Sequence, residues 1–521
     1  MNRGGVGRPR RPAARAAKIK NRVVSKKQAP ALPRTAIIDI GSNTVRLVVY
    51  EGIASLATPL FNEKVQCALA RGLADTRRLN PDGRDSAMAA LARFVRLARA
   101  MRVGRIRALA TAAVREAEDG GSFVARIERR FHIPVRVLSG TEEARFSAFG
   151  LLASVPDADG LLGDLGGGSL ELVALDRGQI RRSASLMLGH LVLAERTDGS
   201  RKRAKDVIDR ELAALSWLRR LKGRSLYVTG GAWRAIAHIL LGQTKHPLHI
   251  IDGYEVEADD VSRIAAILSD LSRETLLKIE KISPRRAETL SFAALVLRAL
   301  IEKGRPDNVV FSGYGIREGA FLSALPERPG KERDLLVEGA AAIARRMGRF
   351  TLDGEEICHW LDPLFRSLPR GRSGRERRLR LVVCYLSDVA RFDHPDYRAE
   401  HALLRVLRLP LGGLSHADRV YAAMAVFVRY NGTIDSSPAK PYAGLLDDER
   451  LHLANVLGLA LRLAYALSGG APGLLARTRL KTAGDALILK LPRARAAYAG
   501  ETVDRRLRSL ARALELEPKL R

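Results

Sequence analysis

Gly160-Leu161-Leu162-Gly163-Asp164-Leu165-Gly166-Gly167-Gly168-Ser169-Leu170-Glu171-Leu172-Val173-Ala174 is the stretch on which the reading of this 521-residue chain turns. An apolar run ends in an aspartate. Three glycines and a serine follow, and a second apolar run opens with a glutamate pointing back toward the turn. The pattern predicts strand, turn, strand. Glycines in the turn let backbone N–H groups approach a phosphoryl group with no Cβ in the way. Asp164 and Glu171, at the two mouths of the turn, are placed to hold a divalent cation beside those phosphates. Taken alone, the same stretch is also a tight hairpin between two core strands, because glycine is a general turn residue.

The pattern occurs twice. Thr35-Ala36-Ile37-Ile38-Asp39-Ile40-Gly41-Ser42-Asn43-Thr44-Val45-Arg46-Leu47-Val48-Val49 repeats it near the start. With Asp39 aligned to Asp164, the apolar strand, the Asp-x-Gly, the small polar turn and the returning strand all coincide. Thr44 then falls on Ser169, and Arg46 on Glu171. Two matching turns predict two related half-domains facing each other across a cleft, each offering one loop to a shared anion.

Outward from these turns, the chain is too long for one hydrophobic core. Its apolar stretches fall short of the ~20 residues of a membrane span. The three cysteines, Cys67, Cys358 and Cys384, are far apart and not in metal-ligand spacing. They fit buried thiols in a reduced, cytoplasmic compartment and argue against a structural zinc site. The formal charge of +31 attracts polyanions: nucleic acid, anionic membrane or inorganic polyphosphate. No aromatic-and-basic recognition motif supports a specific nucleic-acid partner.

Residues 1–34 carry no acidic residue and read as a basic disordered arm. Beyond it, Ile37 to Asp39, Val45 to Tyr50, Glu63 to Ala70 and Arg105 to Ala110 read as strands, with a helix from Pro81 to Met101. Thr111 is placed to cap a short helix carrying Arg115. Ile133 to Leu138 reads as a strand, and Ser139-Gly140-Thr141-Glu142-Glu143-Ala144 opens a helix. Ser139 and Glu142 have capping-box spacing. Glu142 therefore has a structural task at its own helix start, and Glu143 is free to serve the cleft. Leu226 to Arg234 reads as strand, glycine turn and helix start, a third anion contact. Pro326 to Lys331 reads as a linker, and the chain beyond it as almost all helix.

Taken together, these motifs resemble the exopolyphosphatase / guanosine pentaphosphate phosphatase family of the actin-like superfamily. The resemblance rests on Asp39-Ile40-Gly41-Ser42-Asn43 with Arg46-Leu47, Arg71-Gly72-Leu73, Ala110-Thr111-Ala112-Ala113-Val114-Arg115, Ser139 to Ala144, Asp164 to Glu171, and Gly230-Gly231. They occur in family order over residues 35–320. The resemblance implies an α/β fold of two ribonuclease-H-like subdomains, over 35–139 and 140–325, followed by an all-α HD-like domain over 332–521. It implies hydrolysis of the terminal phosphate of inorganic polyphosphate, or of the 5′-γ-phosphate of guanosine pentaphosphate, with Mg²⁺, and it makes a homodimer the expected assembly. The family's catalytic glutamate lands on Glu143, where the capping argument also arrives. In the helical domain, Leu386-Ser387-Asp388 stands where a metal-binding His-Asp belongs, so a second metal site is not expected.

On this reading Glu143 orients and deprotonates water. Asp164, Glu171 and Asp39 hold the cation. Backbone N–H groups of Ser42, Asn43, Gly166, Gly167, Gly168 and Ser169 cradle phosphoryl oxygens, and Arg115 grips them. Arg46 either joins that grip or locks the subdomains together. A superfamily phosphotransferase and a non-catalytic polyphosphate or alarmone sensor use the same loops and stay open.

Overall fold

The computed structural model describes residue 1 and residues 34–52, 59–280, 282–325, 334–348, 354–492 and 498–521. The basic arm, apart from Met1 and Arg34, and the linker expected from Pro326 to Lys331 lie outside the described residues.

Two mixed sheets dominate the first part of the chain. The first contains β1 (Arg34–Ile40), β2 (Thr44–Glu51), β3 (Phe61–Gln66), β4 (Arg105–Ala110) and β5 (Val135–Val137), in the order β3-β2-β1-β4-β5. β1 is antiparallel to β2 and parallel to β4. The second contains β6 (Gly160–Leu165), β7 (Leu170–Asp176), β8 (Gln179–Leu186), β9 (Ser225–Thr229), β10 (Tyr254–Glu257) and β11 (Asn308–Phe311), in the order β10-β11-β9-β6-β7-β8. β6 is antiparallel to β7 and parallel to β9. With the edge strand β10 set aside, the two sheets share one topology, with β6 in the place of β1. This is the ribonuclease-H-like arrangement, present twice. The register carries the repeat down to single residues: Asp39 pairs with Arg46 across the first hairpin, and Asp164 with Glu171 across the second.

The central strands read as continuous apolar runs because both of their faces are covered. Successive side chains on a strand point to opposite faces. Ala36, Ile38 and Ile40 therefore pack outward with Val45, Leu47 and the helix Pro81–Ala100. Ile37, Val48 and Tyr50 face inward onto Phe146 and Phe321. The second sheet repeats this. Leu161, Leu165 and Leu172 pack with the fully buried Trp233 on one side. Leu162 and Val173 meet Ala144, Ala148 and Leu151 on the other. The helices Gly140–Ser154 and Ile316–Leu322 thus form the layer between the sheets. Each begins just beyond a strand end, at the hairpin turns.

The remainder is mainly helical around one large core. It contains the helices His416–Arg429 and Asp448–Ser468, both largely buried. The second of these is, among the described residues, the one helix long and apolar enough to span a membrane, and its apolar side chains sit in the core. The expectation of an almost all-helical ending is corrected. β12 (Arg479–Ala483), β13 (Ala486–Lys490) and β14 (Glu517–Leu520) form a three-stranded sheet. Leu480, Leu487 and Leu489 turn one face of it into the helical core.

This part seats on the second sheet's lobe. His416 Nε2 lies 2.9 Å from the carbonyl of Ile250. A Cβ at Gly412 would meet the Tyr314 hydroxyl at 2.3 Å, so the chain passes directly over that ring.

Candidate active site

The two hairpin turns meet. A Cβ at Gly168 would fall 2.7 Å from Ser42 Oγ and 3.1 Å from Ala112 Cβ. Only glycine allows the loops of the two lobes to approach this closely. Within the second turn the Gly166 N–H is already bonded to the Ser169 carbonyl at 2.9 Å. That removes Gly166 from the expected set of free donors; its role is to close the turn. The carbonyls of Gly166, Gly167 and Gly168 accept from the segment Gly189 to Val192, which turns the peptide units so that carbonyls face that segment. Among the described residues no backbone carbonyl meets the N–H groups of Ser42, Asn43, Gly167, Gly168 or Ser169. These five remain a donor set for phosphoryl oxygens.

The helix Gly140–Ser154 aims the two glutamates apart, as the spacing predicts. The Ser139 hydroxyl accepts from the Glu142 N–H at 3.2 Å, and the Glu142 carboxylate accepts from the Ser139 N–H at 2.9 Å. Glu143, the next residue round the helix, is 5% exposed. Its carboxylate receives Arg115, which also donates to the Leu138 carbonyl at 2.7 Å and to the Glu116 carboxylate at 3.0 Å. Arg115 therefore pairs with Glu143, the residue expected to act beside it. Thr111 occupies the N-cap position of that short helix but makes no side-chain cap bond.

Burial pushes Glu143 up to about 7, Arg115 opposing and Asp39 and Asp164 adding to the rise. Burial also raises Asp164, against the Ser147 hydroxyl that donates to it. Glu171 is raised well above the carboxylate range, first by burial and then by Glu143 and Asp164. The Ser185 hydroxyl donates to it at 3.1 Å. Asp39 is raised by burial, with Arg317 and Arg46 pulling the other way.

Four carboxylates thus share one buried place. They are hard oxygen donors of the kind Mg²⁺ takes. Among the described residues, however, no group of three or more His, Cys, Asp or Glu side chains is assembled to hold a metal ion by itself. Asp39, Asp164 and Glu171 do not form a ready-made cage. A cation here fits as Mg²⁺ usually binds, through one or two carboxylates with substrate phosphates completing its shell.

Facing the carboxylates is a wall of arginines that the sequence reading largely missed. A cavity of about 260 Å³ is lined by Arg46, Arg234, Arg317 and Arg419, with Asp252 and Glu318. Arg317 lies 3.4 Å from Asp39 across the two lobes. Arg234 donates to the Gly313 carbonyl at 3.2 Å, while its Nε is buried without a partner. Arg46 bonds Asn62 of its own lobe at 2.7 Å, so that bond does not lock the lobes together. Burial, then the nearby Arg317 and Arg234, push Arg46 down to about 10. Guanidinium groups that crowd one another in this way make a receptor for an anion of several charges.

In the helical part, Asp388 is 2% exposed and lies 3.7 Å from Arg429, with the Tyr430 hydroxyl at 3.4 Å. His394 and His401 pair with Asp396 and Asp393 near the surface.

Residues 48–328 match the model of the Ppx/GppA phosphatase family, and residues 337–516 match that of the exopolyphosphatase C-terminal region. An exopolyphosphatase from Cytophaga hutchinsonii aligns over 56% of this chain and 97% of its own, at 22% identity and a TM-score of 0.51. A Ppx/GppA family member from Aquifex aeolicus aligns over 56% and 97%, at 23% identity and a TM-score of 0.48.

Proposed function

The chain belongs to the Ppx/GppA phosphatase family, and from that premise we propose that it removes the terminal phosphoryl group of inorganic polyphosphate, releasing phosphate, with guanosine pentaphosphate as a second substrate of the same site. The observation that carries this reading is the position of Glu143. A buried carboxylate brought up to about 7 lies within electrostatic reach of Asp39 and Asp164, the aspartates of the two hairpins, and Asp39 meets Arg317 of the arginine-walled cavity.

Phosphoanhydride hydrolysis needs a positioned water and neutralisation of charge on the phosphoryl oxygens. Glu143 accepts the proton of the attacking water, and a base that titrates near the working pH is well matched to that step. Arg115 fixes the orientation of its carboxylate. As the water oxygen bonds to the terminal phosphorus, the anhydride bond breaks and the shortened chain leaves as an anion. The N–H groups of Ser42, Asn43, Gly167, Gly168 and Ser169 orient the transferred group. Arg46, Arg234 and Arg317 hold the rest of the anion. Mg²⁺, when bound, supplies further charge neutralisation; Asp39, Asp164 and Glu171 are the residues that would hold it. A polymeric phosphate also suits the charge of +31 better than a small neutral acceptor does.

The test is phosphate release from long-chain polyphosphate and from guanosine pentaphosphate in parallel, with Mg²⁺ and with chelator. Release from either that needs the cation supports the reading, and the ratio ranks the substrates. ADP formation from ATP plus a small acceptor, without phosphate release, would replace it with a phosphotransferase. Tight binding without release would leave a sensor.

A further inference from the structure

The helical part has no histidine before Asp388, and the structure puts a guanidinium beside that aspartate instead. Arg429 lies 3.7 Å from Asp388. Ser387, in the histidine's place, is bonded to the Cys384 carbonyl and lies 3.0 Å from the Tyr465 hydroxyl. The space beside this group is not packed shut. A cavity of about 350 Å³ opens there, and its lining includes Arg398, Arg429, Arg462, Arg506, Tyr430 and Tyr465.

Four arginines line this cavity, and among the described residues no carboxylate does; Asp388, 3.7 Å from Arg429 and 2% exposed, lies outside the lining. Their charges are poorly answered. Arg429 is 10% exposed, and its Nε is buried without a hydrogen-bond partner. Arg462 Nε is buried without a partner as well. Arg398 donates to the neutral carbonyl of Asp393 at 3.2 and 3.0 Å. Arg506 reaches, among the described residues, the neutral Asn431 side-chain oxygen at 3.5 Å. Burial and then the neighbouring Arg429 depress its basicity, a sign of cations crowding one another.

The arrangement is also rigid. The Arg429 guanidinium lies over the Tyr465 ring at 3.8 Å and the Tyr430 ring at 4.4 Å. A stacked, planar fork keeps its remaining N–H groups aimed in fixed directions, and this is the geometry that phosphoryl oxygens accept from. Placing like charges together out of water is costly unless an anion completes the group.

We propose that this cavity is a second anion site, separate from the hydrolytic cleft, that takes the phosphoryl groups of a polyphosphate chain or of a nucleotide. The buried helix His416–Arg429 spans the distance between the two sites. Arg419 borders the cleft, and Arg429, ten residues on, borders the second cavity, about 15 Å along the helix axis. Binding at this site stands apart from the proposed hydrolysis, because none of its lining residues belongs to the cleft.

The experiment is calorimetric titration of the full chain carrying Glu143→Gln, with inorganic tripolyphosphate and, separately, with GTP, at fixed ionic strength. Two classes of tripolyphosphate site are expected. Arg506→Glu and Arg398→Glu, both on partly exposed side chains, should each weaken one class about tenfold or more, a change of about 1.4 kcal/mol. They should leave the other class, and the unfolding temperature, unchanged. Equal affinity for tripolyphosphate and GTP at that class assigns bare phosphoryl recognition; tighter GTP assigns a nucleotide. Finding only the class that is sensitive to these arginines would count against the hydrolytic cleft and support this site. Unchanged stoichiometry and affinity in both arginine variants would overturn the proposal.

Discussion

The two ribonuclease-H-like lobes are built alike and equipped differently. In the first, β5 leads to a helix whose N-cap Ser139 and third residue Glu142 cap each other. In the second, β11 leads to a helix that starts at Gly315, and Glu318 accepts from the Gly315 N–H at 2.9 Å. Aligned on these caps, Glu142 matches Glu318, and both keep the structural bond. The residues that follow do not match: Glu143 in the helix after β5, Gly319 in the helix after β11. Thr141 likewise faces Arg317. The hairpins diverge in the same way, with Asp39 opposite Arg46 and Asp164 opposite Glu171. The capping glutamates are retained in both repeats, while the positions beside them and opposite the two aspartates differ. On the proposed mechanism the helix after β5 supplies the base, and the helix after β11 supplies the guanidinium that reaches Asp39.

The largest expected effect falls on the residue that breaks the symmetry. Glu143→Gln should lower kcat about 100- to 10,000-fold, the span of a lost general base, with binding retained. The same residue sets the pH dependence. Glu143 works as a base only when ionised, so kcat/KM should fall as pH drops through about 7. Raising Mg²⁺ should move that limb to lower pH, because a nearby cation favours the carboxylate.

The meeting of the loops comes next. Gly168→Ala drives a methyl group toward Ser42 Oγ. Overpacking of this kind costs about 1–3 kcal/mol and should appear chiefly as a raised KM, since it spreads the cradle. A smaller effect of opposite sign is expected at Glu171. Its folded-state pKa lies above the ordinary 4.5, so the folded protein bears the cost of a buried charge above that range and none below it. Glu171→Gln should therefore raise the unfolding temperature near pH 8, lose that gain toward pH 4, and impair turnover throughout, a stability–activity trade-off. The smallest effect belongs to the shared cap. Glu142→Ala should cost about 0.5–2 kcal/mol of stability and leave kcat nearly unchanged. A large catalytic loss there would erase the distinction between the two glutamates.

Much of this was legible because it is local. Each hairpin is a single continuous stretch, Arg34 to Glu51 and Gly160 to Asp176, and carries its own turn chemistry, so the duplication could be found by aligning Asp39 with Asp164. The capping box is a spacing, and it separated Glu142 from Glu143 without a structure. The arginine wall was not legible, because Arg46, Arg234, Arg317 and Arg419 come from four distant segments. In a chain with 88 Lys and Arg residues, no single one stands out. A signal did exist at Arg317: Glu318 has capping spacing to Gly315, but glycine in place of serine hid the motif. The small third sheet was missed for another reason. β12 and β13 flank a Gly484-Asp485 turn, a recognisable hairpin signal, but β14 contains Pro518 and no β-branched residue. Its pairing with β13 is set by tertiary packing.

The most direct test makes the helix after β5 resemble the helix after β11. Glu143→Gly places in the first helix the residue that the second has at Gly319. Phosphate release from polyphosphate by this variant should collapse and then recover, saturably, when formate is added to replace the missing carboxylate. A variant that releases phosphate as fast as the native chain without formate would contradict the assignment of Glu143 as the base.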